Sequence, residues 1–137
     1  MTGNQTAIYH PQQGTLTVPA DSTVDVTGLV GLQMCGGTAN IAGGDFVSTD
    51  TTPYENPLKP SEQNDGTAQD GAALSILSRE GYGNVTANVT GGTFTAQIGN
   101  LAVRMYGFAK VDGVWTASEE HPYAMAAISG GTFSTAV

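Results

Sequence analysis

One phrase recurs three times along this chain: Ile41-Ala-Gly-Gly-Asp-Phe46, Val89-Thr-Gly-Gly-Thr-Phe94 and Ile128-Ser-Gly-Gly-Thr-Phe133. A repeated apolar–Gly-Gly–aromatic phrase restricts the fold more than composition does, because each copy must solve the same packing problem in the same way. Residues two apart in a strand point to the same side, so parity can be compared from copy to copy. The parities agree. Ala39/Ile41, Ala87/Val89 and Ala126/Ile128 form one expected inward ladder, and Phe46, Phe94 and Phe133 form a second. Leu32/Met34, Leu74/Ile76 and Leu101/Val103 form a third. Between the first two ladders the Gly-Gly pair allows a corner with φ > 0, where a side chain costs roughly 1 kcal/mol or more. The expected result is a stacked coil with three short faces, in which each turn buries its inward face against its neighbours. A β-sandwich is the rival arrangement, but it does not require strand triplets to recur as a phrase.

Composition agrees with this pattern. The chain has 137 residues, one domain's worth, with 39% apolar content, only 7% aromatic and 12% charged residues, and 19 glycines. The glycines punctuate it too often for long helices, so almost no α-helix is expected. Four basic residues stand against twelve carboxylates, a net charge of −8. This disfavours nucleic acid and anionic membrane surfaces as partners. No apolar run approaches the roughly 20 residues of a spanning helix, so no membrane insertion is expected. One cysteine, Cys35, and two histidines supply neither a disulfide framework nor a zinc cluster, and no metal or cofactor is implied. No signal peptide is visible at Met1.

Taken in order, residues 1–14 read as a weakly structured lead-in, and strand signals start after Gly14. Alternation carries Leu16 to Val18, Val24 to Leu29, Leu32 to Met34 and Ala39 to Ser48. Residues 50–71 hold Pro53, Pro57 and Pro60 among acidic and amide side chains and read as a long exposed loop. The pattern resumes through Leu74 to Ile76, Val85 to Ile98 and Leu101 to Met105. Residues 106–123 read as a second insertion, with a hairpin turn at Val111-Asp112-Gly113-Val114.

The phrases Gly-Gly-Thr-Ala-Asn-Ile41, Tyr-Gly-Asn-Val-Thr-Ala-Asn-Val89 and Ile-x-Gly-Gly-Thr-Phe resemble the repeats of right-handed parallel β-helix regions in large exported surface proteins of Gram-positive gut bacteria. The resemblance covers roughly residues 14–137. It implies an all-β, single-stranded right-handed parallel β-helix (a solenoid of about four short coils) with loop and hairpin insertions, within a longer chain. It further implies an extracellular or cell-surface setting and an adhesin-like, carbohydrate-binding role.

Polysaccharide-cutting enzymes on β-helices set carboxylates, often with calcium, beside a basic residue on one strand face. Here Asp45 shares its outward position with Thr93 and Thr132, and Arg104 is the only basic residue on an expected strand. His10 and His121 each precede a proline in expected loops, with no Gly-x-Ser-x-Gly elbow to serve. Asp50, Glu55, Glu62, Asp65 and Asp70 match no defined calcium loop and read as solvated surface. Asn40 and Asn88 are expected to align outward as a structural ladder, and Cys35 reads as inert.

The second insertion concentrates aromatic side chains. Tyr106, Phe108, Trp115 and Tyr123, with His121 beside them, either form a platform for sugar C–H faces or cover the flank of the coil as a small satellite core. The expected function is therefore a non-enzymatic scaffold or adhesin-like module, with a glycan or another cell-surface component as partner at these five residues. Two alternatives stay open: a polysaccharide-active lyase or hydrolase of the same architecture, and a segment of an oligomeric viral fibre or tailspike.

Overall fold

The computed structural model describes residues 6–53, 69–118 and 124–134. Its strands are β1 (Thr6–His10), β2 (Thr15–Val18), β3 (Asp25–Gly28), β4 (Val30–Met34), β5 (Gly37–Ile41), β6 (Asp45–Ser48) and β7 (Leu74–Arg79). After these come β8 (Val85–Val89), β9 (Thr93–Thr95), β10 (Val103–Val111), β11 (Val114–Ser118), β12 (Ala124–Ile128) and β13 (Thr132–Phe133). No described residue is helical, and no helix is long and apolar enough to cross a membrane.

The strands build three sheets, in the orders β1-β4-β7-β10-β11, β12-β8-β5-β2 and β13-β9-β6-β3. Successive strands visit the sheets in rotation, so each strand pairs with the third strand before it. Among the described residues only the β10–β11 hairpin interrupts the series. Every pairing is parallel except that hairpin, where Asp112 (φ 51°) and Gly113 (φ 79°) form the expected tight turn.

The inward ladders follow from this register. Ala39 faces Ala87 and Ile41 faces Val89, and the same rows continue to Ala126 and Ile128. Phe46, Phe94 and Phe133 stack with ring centroids 5.1 Å apart and planes within 10° of parallel. That spacing sits just above the roughly 4.8 Å between neighbouring strands, so the rings are slightly offset as aromatic quadrupoles prefer. In the third ladder the expected partners are corrected by one pleat: Leu74 pairs with Val103 and Ile76 with Met105, so Leu101 precedes the strand. Parity does not detect this slip, because positions 101, 103 and 105 have the same parity.

At the corners two glycines have distinct duties. Gly91 has its backbone against the rung before it, where an added Cβ would lie 2.3 Å from the Ala42 carbonyl oxygen. Gly92, at φ 93°, turns the chain into the next sheet.

Four further expectations are corrected. The lead-in is not weakly structured where described, because β1 pairs in parallel with β4, aligning Ile8 with Leu32. His10 belongs to that strand rather than a loop, and its Nδ1 lies 3.1 Å from the Gly36 carbonyl oxygen. Residues 106–111 are not part of an insertion but the second half of β10, paired with β7 as far as Phe108 opposite Arg79. Arg79 and Lys110 also lie on strands, so Arg104 is not the sole basic strand residue.

Burial falls off at the last rung. Phe46 and Phe94 are fully buried and Phe133 is only half-buried; likewise Val89 is buried while Ile128 is 38% exposed. Phe94→Ala should therefore cost about 3–5 kcal/mol, and Phe133→Ala markedly less, in urea unfolding followed by circular dichroism. Equal costs would contradict this ranking of the rings.

Candidate functional site

Chemistry concentrates on the outer face of the five-stranded sheet. Strand β7 is buried at all six positions, which an outward-facing strand in water would not be. Its outward row, Ser75, Leu77 and Arg79, runs beside Arg104, Tyr106 and Phe108 of β10. Gln33 of β4 faces Ser75 on the other side, and Tyr9 of β1 faces Gln33. Cys35, Leu77 and Phe108 form a second apolar cluster here, with Tyr9 and Tyr106 packed against it.

Asp70 enters this face from the segment leading into β7. Its carboxylate Oδ1 accepts from the Ala72 N–H at 3.0 Å, closing an Asx turn. Its Oδ2 accepts the Ser75 hydroxyl at 2.5 Å and also the Tyr106 hydroxyl. Gln33 Nε2 donates in turn to Ser75 Oγ at 3.2 Å. Asp70, Ser75 and Gln33 have no exposed surface, and Arg104 is 7% exposed.

These contacts set the protonation states. Burial pushes the Asp70 carboxyl above its ordinary value, against the opposing pull of Ser75, Tyr106, the Ala72 N–H and the Arg104 charge. Burial likewise holds the Tyr106 hydroxyl well above the usual phenol range, reinforced by the Asp70 carboxylate beside it. Tyr106 is therefore a neutral donor at physiological pH.

A second polar knot ties down the chain beside this one. Asn100 Nδ2 donates to the carbonyls of Asp50 (3.0 Å) and Thr52 (2.9 Å), and Gln69 Nε2 donates to Asp50 Oδ2 at 2.9 Å. Asp50 is 4% exposed and Asp70 fully buried, which corrects the expectation that both belong to a solvated acidic run. The short Asx geometry explains the difference, since each carboxylate caps its own turn and needs no water. Glu55, Glu62 and Asp65 lie outside the described residues.

Of the expected contact residues, Tyr106 and Phe108 come together edge to face, with ring centroids 5.8 Å apart. Phe108 is 1% exposed, and the Tyr106 hydroxyl is engaged by Asp70. Both rings serve the satellite core. The backbone of Trp115 pairs with Lys110 in the hairpin, and its side chain falls outside what the structure describes. His121 and Tyr123 also lie outside the described residues. An exposed ring is found elsewhere: Tyr82, 55% exposed, lies under the Arg79 guanidinium at 4.3 Å.

No family model matches the chain, nor does any curated protein or solved structure. What the site can do rests on its own geometry.

Ser75 and Asp70 make a direct hydroxyl–carboxylate pair, with Gln33 Nε2 donating to the same Ser75 oxygen. Among the described residues no group of three or more His, Cys, Asp or Glu is placed to hold a metal ion. Asp45 does have an acidic neighbour, Asp25, in the adjacent outward position, which parity had not revealed because the β2–β3 connection is longer than later corners. The Asn40–Asn88 ladder forms as expected, Asn88 Nδ2 donating to Asn40 Oδ1 at 2.9 Å. The buried network acts as a lock: Asp70 fastens the chain entering β7 to β10, the strand that follows one rung later.

The sequence contained one signal for this network. Leu77 places an apolar residue at an outward position of β7, between Ser75 and Arg79, which marks two-sided burial. Two measurements test the lock. Tyr106→Phe, which leaves Asp70 short of a buried donor, should cost about 1–3 kcal/mol in urea unfolding. A raised carboxyl pKa gives stability that is complete below the ordinary value of 3.8 and is lost as pH rises through the folded value. The stability of the wild type relative to Asp70→Asn should therefore decline from about pH 4 toward neutrality; a flat or rising difference would overturn the assignment.

Proposed function

We propose that the chain is a right-handed parallel β-helix module of an exported surface protein, serving as a non-enzymatic, adhesin-like scaffold that contacts glycan through its hairpin region. The observation that carries this reading is the rotation of successive strands through three sheets in parallel register, interrupted by the β10–β11 hairpin. Such a rotation is what a coil with three faces requires, and parallel β-crossover-β connections are overwhelmingly right-handed. Continuous stacking of parallel rungs favours a scaffold over the polysaccharide-active alternative.

The glycan contact is assigned to the β10–β11 hairpin and the segment after it, with Trp115, His121 and Tyr123 as contact residues. Val111 and Val114 at the hairpin tip are 54% and 64% exposed, so the hairpin offers an amphipathic surface on the side of the stack. Tyr106 and Phe108 act from beneath, holding the base of β10 in the satellite core.

A glycan-array screen of the chain and of Trp115→Ala tests this reading. Binding that falls at least about tenfold in the variant, an effect of the size expected for one stacked aromatic, with no turnover of the bound glycan, supports it. Cleavage of any bound polysaccharide, or binding indifferent to Trp115, would sink it.

A further inference from the structure

The two ends of the stack differ. At one end the sheet edges are β2 and β3, and at the other they are β12 and β13. The corner between these sheets occurs four times, and its glycine has one physical cause. An added Cβ at Gly43 would lie 2.6 Å from the Pro19 carbonyl oxygen, at Gly91 2.3 Å from that of Ala42, and at Gly130 2.2 Å from that of Thr90. Each glycine is thus demanded by the rung before it. The first corner, Pro19-Ala-Asp-Ser-Thr-Val24, has no rung before it and contains no glycine. It makes a wider turn, closed by the Ser22 N–H on the Pro19 carbonyl at 3.0 Å.

The opposite edge continues every series. Ala42 N–H donates to Val18 O, Thr90 N–H to Ile41 O and Ser129 N–H to Val89 O, at 2.8 to 2.9 Å. The next acceptor in that series is the Ile128 carbonyl. In the second sheet Thr93 N–H donates to Gly44 O and Thr132 N–H to Gly92 O, and the next acceptor is the Gly131 carbonyl. Backbone groups alternate along a parallel strand, so with Ser129 directed at β8, the N–H and C=O of Ala126 and Ile128 point to the open side. Their inward side chains are exposed there as well, whereas Ala87 and Val89 in the same rows are fully buried.

We propose that the β12–β13 edge is a docking surface for one further parallel strand pair, whose sequence follows small–x–aliphatic–x–Gly-Gly–x–aromatic. The Ser129 carbonyl stands where Pro19, Ala42 and Thr90 stand in earlier rungs, so the incoming corner must carry glycine opposite it. This excludes the β2–β3 end of a second copy, whose corner has only side-chain-bearing residues. The occupant is therefore a different polypeptide segment with the Gly-Gly corner. Its aliphatic residue covers Ile128 and its aromatic ring extends the Phe46–Phe94–Phe133 stack. Hydrogen-bond register, the glycine corner and the exposed edge define this docking surface independently of glycan binding.

Appending a copy of residues 84–96 to the intact chain through a flexible Gly-Ser linker tests the proposal. Amide hydrogen exchange of Ala126 and Ile128 should slow by about tenfold or more, with Ala127, already directed at β8, changing little. The same extension with Gly→Ala at its copy of position 91 should exchange like the unextended chain. No slowing in the glycine-bearing extension, or equal slowing in both extensions, would overturn the proposal. So would a concentration-dependent dimer of the unextended chain that itself protects Ala126 and Ile128, since the occupant would then be a second copy.

Discussion

The structure depends on backbone hydrogen bonds that run on through the corners. In most sheets the ladder stops where a strand ends and the connection takes its own path. Here, in the sheet of β2, β5, β8 and β12, the residue after each strand that has a rung before it still donates to that rung: Ala42 to Val18, Thr90 to Ile41 and Ser129 to Val89. A corner bonded in this way cannot gain or lose a residue without shifting the next strand by one position, which would turn its apolar side outward. The exact superposition of Ala39 on Ala87, and of Phe46 on Phe94, follows from that restriction. So does the need for glycine, because bonded corners bring backbone within 2.2 to 2.6 Å of where a Cβ would stand.

This restriction explains which parts of the fold could be read from sequence. The phrase ending in Phe46, Phe94 and Phe133 was legible because corner, parity and core residue are locked together within a few positions. The Asn40–Asn88 ladder was legible for the same reason. Where no bonded corner fixes the count, periodicity gives the side of the sheet but not the partner. Leu101 thus reads as the partner of Leu74, although Val103 takes that position. The strand β1 lacks any copy of the phrase and was missed. It is recognised by its partner β4, whose side away from β7 is extended by β1, with Ile8 opposite Leu32.

The site was less legible than the fold. Tyr106 and Phe108 were singled out for being aromatic, and their roles emerged only from what faces them: Asp70 at the hydroxyl, and Cys35 and Leu77 at the rings. Asp70 reads with its acidic neighbours as solvated surface because composition averages over a run. The Asx turn at Ala72 is a property of one residue, and it carries the side chain inward. A buried carboxylate that accepts from two hydroxyls and a backbone amide specifies a single arrangement of the strands it joins. That is a structural task, and it accounts for burial on both faces of β7.

The Asn100 clamp has a consequence for how this chain can vary. The carbonyls of Asp50 and Thr52 are held by one side chain, and Gln69 bonds to Asp50, so residues 50–52 and residue 69 are fixed beside one another. Closing a loop whose ends already meet costs little more as it lengthens, about 0.6 kcal/mol for each doubling. The clamp thus works like a socket with a fixed footprint. The sequence plugged into it can be exchanged, lengthened or given a new recognition task while the rungs above and below keep their register.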